Sequence, residues 1–519
     1  MTRLTRSASI VGWLAACACS TGEPPRAVPG AADSAAVRPA PHALWIDTEG
    51  RPTPDARAAL VVLRSAAADG LDPAEYIVAD ISAPAAFDAA LTTSMLRYLR
   101  HLHMGRVDPR GLGFRIAAPP DDHDFVAILR AAVDRHQVAD LAAQWRPPFA
   151  MYHSVREALI RYRVLARDAA NRPPPPEAKP VKPGQAASHL PALARWLRVL
   201  GDVPPGTPPP PSSRYEGAIV DGVKAFQARH GLEPDGVIGR ATREALAVPL
   251  ESRVRQLELA LERLRWFPHL DDRVLAVNIP MFRLWGWEGT PLGGTPAFDM
   301  SVIVGKSLDT QTPVLIDQMT HVIFRPYWNV PTSILRGEVL PELARDRGYL
   351  DDQDMEIVEG QSDDGRVLPL DEGTLAQLGA GRLRVRQRPG PSNSLGLVKF
   401  VFPNDDAVYM HGTPLTYLFV RSRRDLSHGC VRVADPVGLA QWVLADQPDW
   451  TRARILAAME GGSPSRVDLA RPLQVVLFYL TAMARPDDGR VHFANDIYGH
   501  DRALERALGA RGPAGPAGG

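Results

Sequence analysis

Tyr409-Met-His411-Gly412-Thr-Pro-Leu-Thr-Tyr-Leu-Phe, then Val-Arg-Ser-Arg-Arg-Asp-Leu, then Ser427-His428-Gly429-Cys430-Val431-Arg432-Val433, is the stretch on which the chain turns. Around its ends it sets a thiol, two imidazoles and the Arg432 guanidinium among residues that bend the backbone, which is a poor recipe for packing. A thiol attacks only as thiolate, and a free cysteine near pKa ~8.5 is mostly protonated at neutral pH, so it needs a base or a cation beside it. His411 can be that base. Gly412 offers no side chain, so its carbonyl is the expected partner of the other ring nitrogen. Gly429 leaves the amides around Cys430 unhindered, as a developing oxyanion requires. Arg432, an always charged planar fork, suits a substrate carboxylate. Ser427 is expected to brace the turn and, with Tyr409 and Arg432, to line the substrate side. His428 either takes part in the chemistry or shapes the loop. His411, His428 and Cys430 also have zinc-ligand chemistry, but no fourth ligand stands near, so no metal or cofactor is expected.

Around this stretch the chain reads as β. Val274 to Pro280, Phe282 to Trp287, Met300 to Val304, His321 to Phe324, Leu397 to Phe402 and Val408 to Met410 are strand-length apolar or alternating runs cut by Gly, Pro, Asn and Asp. His411 therefore ends a strand. Cys430 sits on a loop leading into a helix capped by Asp435 and begun by Pro436. Ser333 to Pro391, charged and helical in pattern, interrupts the β region.

Upstream, Leu190, Leu193, Leu197 and Leu200 form one helical stripe, Tyr215, Ile219, Val223 and Phe226 a second, and Ala241, Ala245 and Leu246 a third. Val223-Lys-Ala-Phe226-Gln227-Ala-Arg-His-Gly231-Leu232, Asp235-Gly236-Val-Ile238-Gly239 and Thr242 resemble the three-helix peptidoglycan-binding domain. Leu44 to Asp168 is helical again, and proline runs at 173–176 and 204–211 mark a linker and a loop.

With 519 residues the chain exceeds one ordinary core, and 59 basic against 59 acidic residues leave no electrostatic footprint for nucleic acid. Proline, at 49 residues, is about twice its usual share. No repeat and no membrane-length apolar run stands out. Met1 to Arg6 is basic, Ser7 to Ala16 is a short apolar stretch, and Leu14-Ala15-Ala16-Cys17 resembles a lipoprotein lipobox with Cys17 as the lipidated residue. Of the three cysteines, Cys17 and Cys19 belong to this export segment. The body therefore holds a single thiol, in a compartment where thiols oxidise, which points to reactivity.

His411-Gly412-Thr413-Pro414, with fifteen intervening residues from His411 to Ser427, and Ser-His-Gly-Cys430-Val-Arg432 match the pattern of the YkuD-type L,D-transpeptidases. Val277 to Pro280, Val304-Gly305-Lys306, Thr312-Pro313, Tyr327 to Pro331 and Gly489 to Asp501 fit their large periplasmic YcbB-like subgroup. The resemblance implies an α+β multidomain chain: signal peptide 1–16, disordered tether 17–42, helical scaffold 43–170, Pro-rich linker 171–187, peptidoglycan-binding domain 188–249, a mainly β catalytic domain 250–507 with a capping insertion at 333–391, and a disordered tail 508–519. It also implies a Cys430 thioester with the third residue of a tetrapeptide stem, loss of D-alanine, and 3→3 cross-links between stems. Hydrolysis by an L,D-carboxypeptidase, or a non-catalytic wall-binding lipoprotein, are the alternatives. The implied partners are peptidoglycan stems and glycan, with peptidoglycan synthases supplying donors. The implied place is the periplasm of a Gram-negative cell, where a monomer is tethered to the outer membrane by its lipid.

Overall fold

The computed structural model describes residues 43–78, 83–116, 119–208, 213–289, 292–308, 310–360, 362–486 and 489–509. The expected leader, the tether with Cys17 and Cys19, and residues 510–519 lie outside the described residues.

Five helices come first: α1 (Pro54–Arg64), α2 (Pro84–Met104), α3 (Phe125–Asp134), α4 (Leu141–Trp145) and α5 (Ala150–Arg167). α1 starts where Thr53 accepts from the Ala56 N–H and Pro54 supplies a pre-set φ. Trp45, Leu63, Tyr98, Leu99, Leu102 and Leu129 bury a core of their own. α6 (Leu190–Leu200), α7 (Ala218–Arg229) and α8 (Arg240–Leu246) form the small three-helix module. Its motif residues are structural pins: the Gln227 amide donates to Asp235, the Val237 carbonyl and Thr242 at 2.9, 3.0 and 3.1 Å, and its oxygen accepts from the Gly236 N–H at 2.8 Å. The linker boundary at 187 needs correction, because Val181 already bridges Ile238. α9 (Leu250–Leu264) then leads into the β region.

There the strands are β1 (Arg273–Asn278), β2 (Arg283–Glu288), β3 (Phe298–Gly305), β4 (Leu315–Phe324), β5 (Trp328–Asn329), β6 (Met355–Val358), β7 (Val367–Leu368), β8 (Arg384–Gln387), β9 (Val398–Val401), β10 (Met410–His411), β11 (Asp425–Ser427), β12 (Val431–Val433), β13 (Ser465–Phe478), β14 (Ala482–Ala484) and β15 (Val491–Phe493). The main sheet runs β11-β3-β12-β10-β9-β4-β13-β1-β2, and β2 also pairs with β3, so the sheet closes on itself with β11 outside the ring. Closure removes the exposed edges that a long apolar sheet would otherwise present.

The insertion between β4 and β9 departs from the helical expectation. α10 (Thr332–Ile334), a π-helical turn over Leu335–Val339, α11 (Leu340–Arg345), α12 (Tyr349–Asp352) and α13 (Glu372–Gly379) pack on a separate sheet in the order β5-β8-β6-β7. Leu335, Val339, Leu343, Ile357, Leu378 and Val385 give it a core of its own. Its strands are two to four residues long, too short for period-two alternation to show against the surrounding charges. α14 (Pro436–Val443), α15 (Arg452–Glu460) and α16 (His500–Gly509) complete the fold; α16 continues past the expected end at residue 507. Among the described residues no helix is long and apolar enough to cross a membrane.

Candidate active site

Register brings the candidate residues together. β10 lies between β12, which it meets in parallel, and β9: Met410 pairs with Val431 and Phe400, and His411 pairs with Arg432 and Lys399. Met410, Val431 and Phe400 are fully buried core residues. Alternation therefore turns Tyr409, His411, Lys399, Cys430 and Arg432 to the other face. The expected loop-to-helix passage after Cys430 is interrupted by β12, and that strand sets the thiol two residues before Arg432, the register partner of His411.

His411 is buried, and its Nδ1–H donates to the Gly412 carbonyl at 2.5 Å. A carbonyl can only accept, so this bond fixes the tautomer and leaves Nε2 with its lone pair. Burial, with Arg432 next, depresses the imidazole pKa to about 3. The imidazole is therefore neutral at rest. Burial likewise pushes the Cys430 thiol above its ordinary value, opposed by hydrogen bonds from the Tyr409 backbone and side chain and by the charges of Lys399 and Arg432. Burial and the Cys430 charge raise the Tyr409 phenol, so it remains a donor.

The loop itself is held by Ser427 and Thr312. Ser427 is buried, donates to the Cys430 carbonyl at 2.5 Å and accepts from the Gly429 N–H at 3.3 Å. The hydroxyl is thus engaged inside the turn. Thr312 donates to the Gly429 carbonyl at 2.7 Å, and Tyr498 ties the same region from the closing segment, donating to the Gly305 carbonyl at 2.6 Å. Gly429 takes φ +109°, which a side chain would oppose. With the Gly429 N–H on Ser427 and the Val431 N–H on the Tyr409 carbonyl at 3.0 Å, the Cys430 N–H is this turn's candidate oxyanion donor, not the amide of Gly429.

His428 is engaged by the insertion. Its Nε2–H donates to Glu338, on the π-helical turn of the insertion, at 2.8 Å. The three zinc-type ligands thus have separate engagements, and among the described residues no metal-holding cluster occurs. Arg432 Nε is buried without a hydrogen-bond partner. Lys399, on a strand that reads as plain apolar sequence, was not legible as a site residue; its single charge within Val398-Lys399-Phe400-Val401 was the only signal. Its Nζ lies 3.8 Å from the centre of the Tyr409 ring.

Residues 272–458 match the YkuD L,D-transpeptidase catalytic domain, residues 39–159 a scaffold domain, and residues 190–246 the family described as "Putative peptidoglycan binding domain". A Haemophilus influenzae protein named "Putative L,D-transpeptidase" is 31% identical over 258 residues, half of this chain and half of that protein. The chain thus spans about half the length of the curated relative it matches. L,D-transpeptidase structures from Xylanimonas cellulosilytica and Stackebrandtia nassauensis are each 14% identical and cover 59% of this chain, and 100% and 97% of their own, at TM-scores of 0.19 and 0.24; these superpositions carry no weight in the assignment. The chain carries a YkuD-type L,D-transpeptidase catalytic domain together with a peptidoglycan-binding domain.

Proposed function

We propose that the protein cross-links peptidoglycan by L,D-transpeptidation through a thioester on Cys430. The observation that carries this reading is a buried, neutral His411, held by the Gly412 carbonyl, on the same sheet face as the thiol. His411 Nε2 takes the thiol proton, and the thiolate attacks the carbonyl at the L-centre of the third stem residue. The Cys430 N–H receives the oxyanion. As the intermediate collapses, the carbon–nitrogen bond breaks and the imidazolium returns its proton to the amine of the departing D-alanine. A thioester remains. The amine of a neighbouring stem then attacks it, passes a proton to His411, and releases the thiolate with a 3→3 amide formed. Arg432, whose Nε lacks a partner, is suited to the donor's carboxylate. The same reading has the protein exported to the periplasm and tethered to the outer membrane through lipidated Cys17, acting as a monomer on stems made available by peptidoglycan synthases.

The test is incubation of the purified protein with disaccharide-tetrapeptide and mass analysis of the products. Cross-linked dimer plus free D-alanine is expected, with both lost in Cys430→Ala. Tripeptide without dimer would replace transpeptidation by hydrolysis. No product at all would leave only a wall-binding protein.

A further inference from the structure

Lys399 is a charged residue on a strand whose neighbours are core. Its placement is specific: register sets it directly across from His411, which on its other side faces Arg432, and its ammonium lies 3.8 Å from the centre of the Tyr409 ring. Tyr409 in turn hydrogen-bonds the sulfur. No carboxylate forms an ion pair with Lys399 among the described residues; Asp363 of the insertion and the Cys430 thiolate are the negative charges that act on it.

We propose that Lys399 is a positioning residue for the nucleophile: its ammonium, seated on the Tyr409 ring beside the sulfur, stabilises the negative charge left on Cys430 when the proton departs. A neutral base needs such help. When a neutral imidazole takes a proton from a neutral thiol, opposite charges appear together in a water-poor site. The thiolate must exist twice in each cycle, before acylation and on release, each time beside an imidazolium whose proton has to be handed on. Lys399 supplies a fixed cation for both moments and, by cation–π contact, holds the phenol that donates to the sulfur. The inference rests on the reading of Cys430 as nucleophile.

The other groups that act on this sulfur are Tyr409, just before β10, and Arg432 on β12, while Lys399 itself also acts on His411 of β10 and His321 of β4 and is acted on by Asp363 of the insertion. The experiment therefore changes Lys399 alone. Full-length protein is alkylated with iodoacetamide, an uncharged reagent that Lys399 does not attract, and the rate is followed against pH for the wild type, Lys399→Met and Lys399→Arg. Lys399→Met is expected to move the midpoint up by about one pH unit and slow the reaction at pH 7 about tenfold, with Lys399→Arg close to wild type. An unmoved midpoint in Lys399→Met, or an equal displacement in both variants, overturns the proposal. Should Lys399→Met fail to fold, reciprocal linkage decides: NMR titration of the Lys399 ε-methylene in Cys430→Ala must show a lower midpoint than wild type, and an identical one overturns the proposal. If the midpoint moves as expected in a protein that makes no cross-link, only the transpeptidase reading fails. If cross-links form with the midpoint unmoved, only the role of Lys399 does.

Discussion

An imidazole whose pKa sits at about 3 is uncharged across the neutral range, and the first reason is burial, with the charge of Arg432 next. The consequence for stability has a definite sign. In the unfolded chain His411 titrates near its ordinary value of 6.5, so between 6.5 and about 3 the unfolded state binds a proton that the folded state refuses. His411 thus costs no stability above pH 6.5, and its burial weakens the fold progressively as pH falls below that. Urea denaturation of wild type and His411→Gln at pH 7.5 and pH 5 checks this: the variant should lose less stability on acidification. At neutral pH the same variant should lose about 10²- to 10⁴-fold in turnover while remaining folded. Ser427 makes a separate case. Its hydroxyl is engaged with Cys430 and Gly429, so Ser427→Ala leaves a buried carbonyl less satisfied and should cost about 1–3 kcal/mol and lower kcat. A raised KM with kcat unchanged would instead return Ser427 to the substrate side.

The contact between His428 and Glu338 joins two elements far apart in sequence, the Cys430 loop and the π-helical turn of the insertion. Glu338 is 54% exposed on its side chain, so the pair is worth little to global stability, within about 1 kcal/mol. Its effect is local. Glu338→Ala should leave the melting temperature nearly unchanged and speed alkylation of Cys430 several-fold without moving its pH midpoint, because access changes while the charges around the sulfur do not. A slower or unchanged rate would show that the insertion does not cover the thiol. This scale also separates what was readable in the sequence. The ends of β10 and the cap at Asp435 were legible, since strand alternation, Gly412 and the Asp-Pro pair are local signals. β12 was not, because three residues after a catalytic-looking loop carry no period. Lys399 was hidden for a different reason: only pairing across strands tells that it faces His411. The same holds for Glu338, whose partner lies 90 residues away.

At the scale of the molecule the binding module is not a bead on a string, whatever the prolines before it imply. Leu197, Val223, Phe226 and Leu246 of the module belong to one buried cluster with Leu257 and Leu261 of α9 and with Val475 and Phe493 of the catalytic region. A buried ion pair braces that seam. Arg229, 4% exposed, makes paired bonds of 2.6 Å to each oxygen of buried Asp202 and donates to the Val491 carbonyl at 3.1 Å. Burial disfavours its charge, yet Asp202 and Tyr162 hold the guanidinium above its ordinary pKa. Removing one partner strands the other. Arg229→Ala should therefore destabilise by about 3–5 kcal/mol, whereas Arg229→Met with Asp202→Asn, which removes both charges and keeps the volume, should recover much of that loss. Because the core is shared, scanning calorimetry of the wild type should show the module and catalytic region unfolding in one transition, and Arg229→Ala should lower that transition without splitting it. Two separated peaks in the wild type would mean that the seam carries no cooperativity and that the module unfolds as an independent unit.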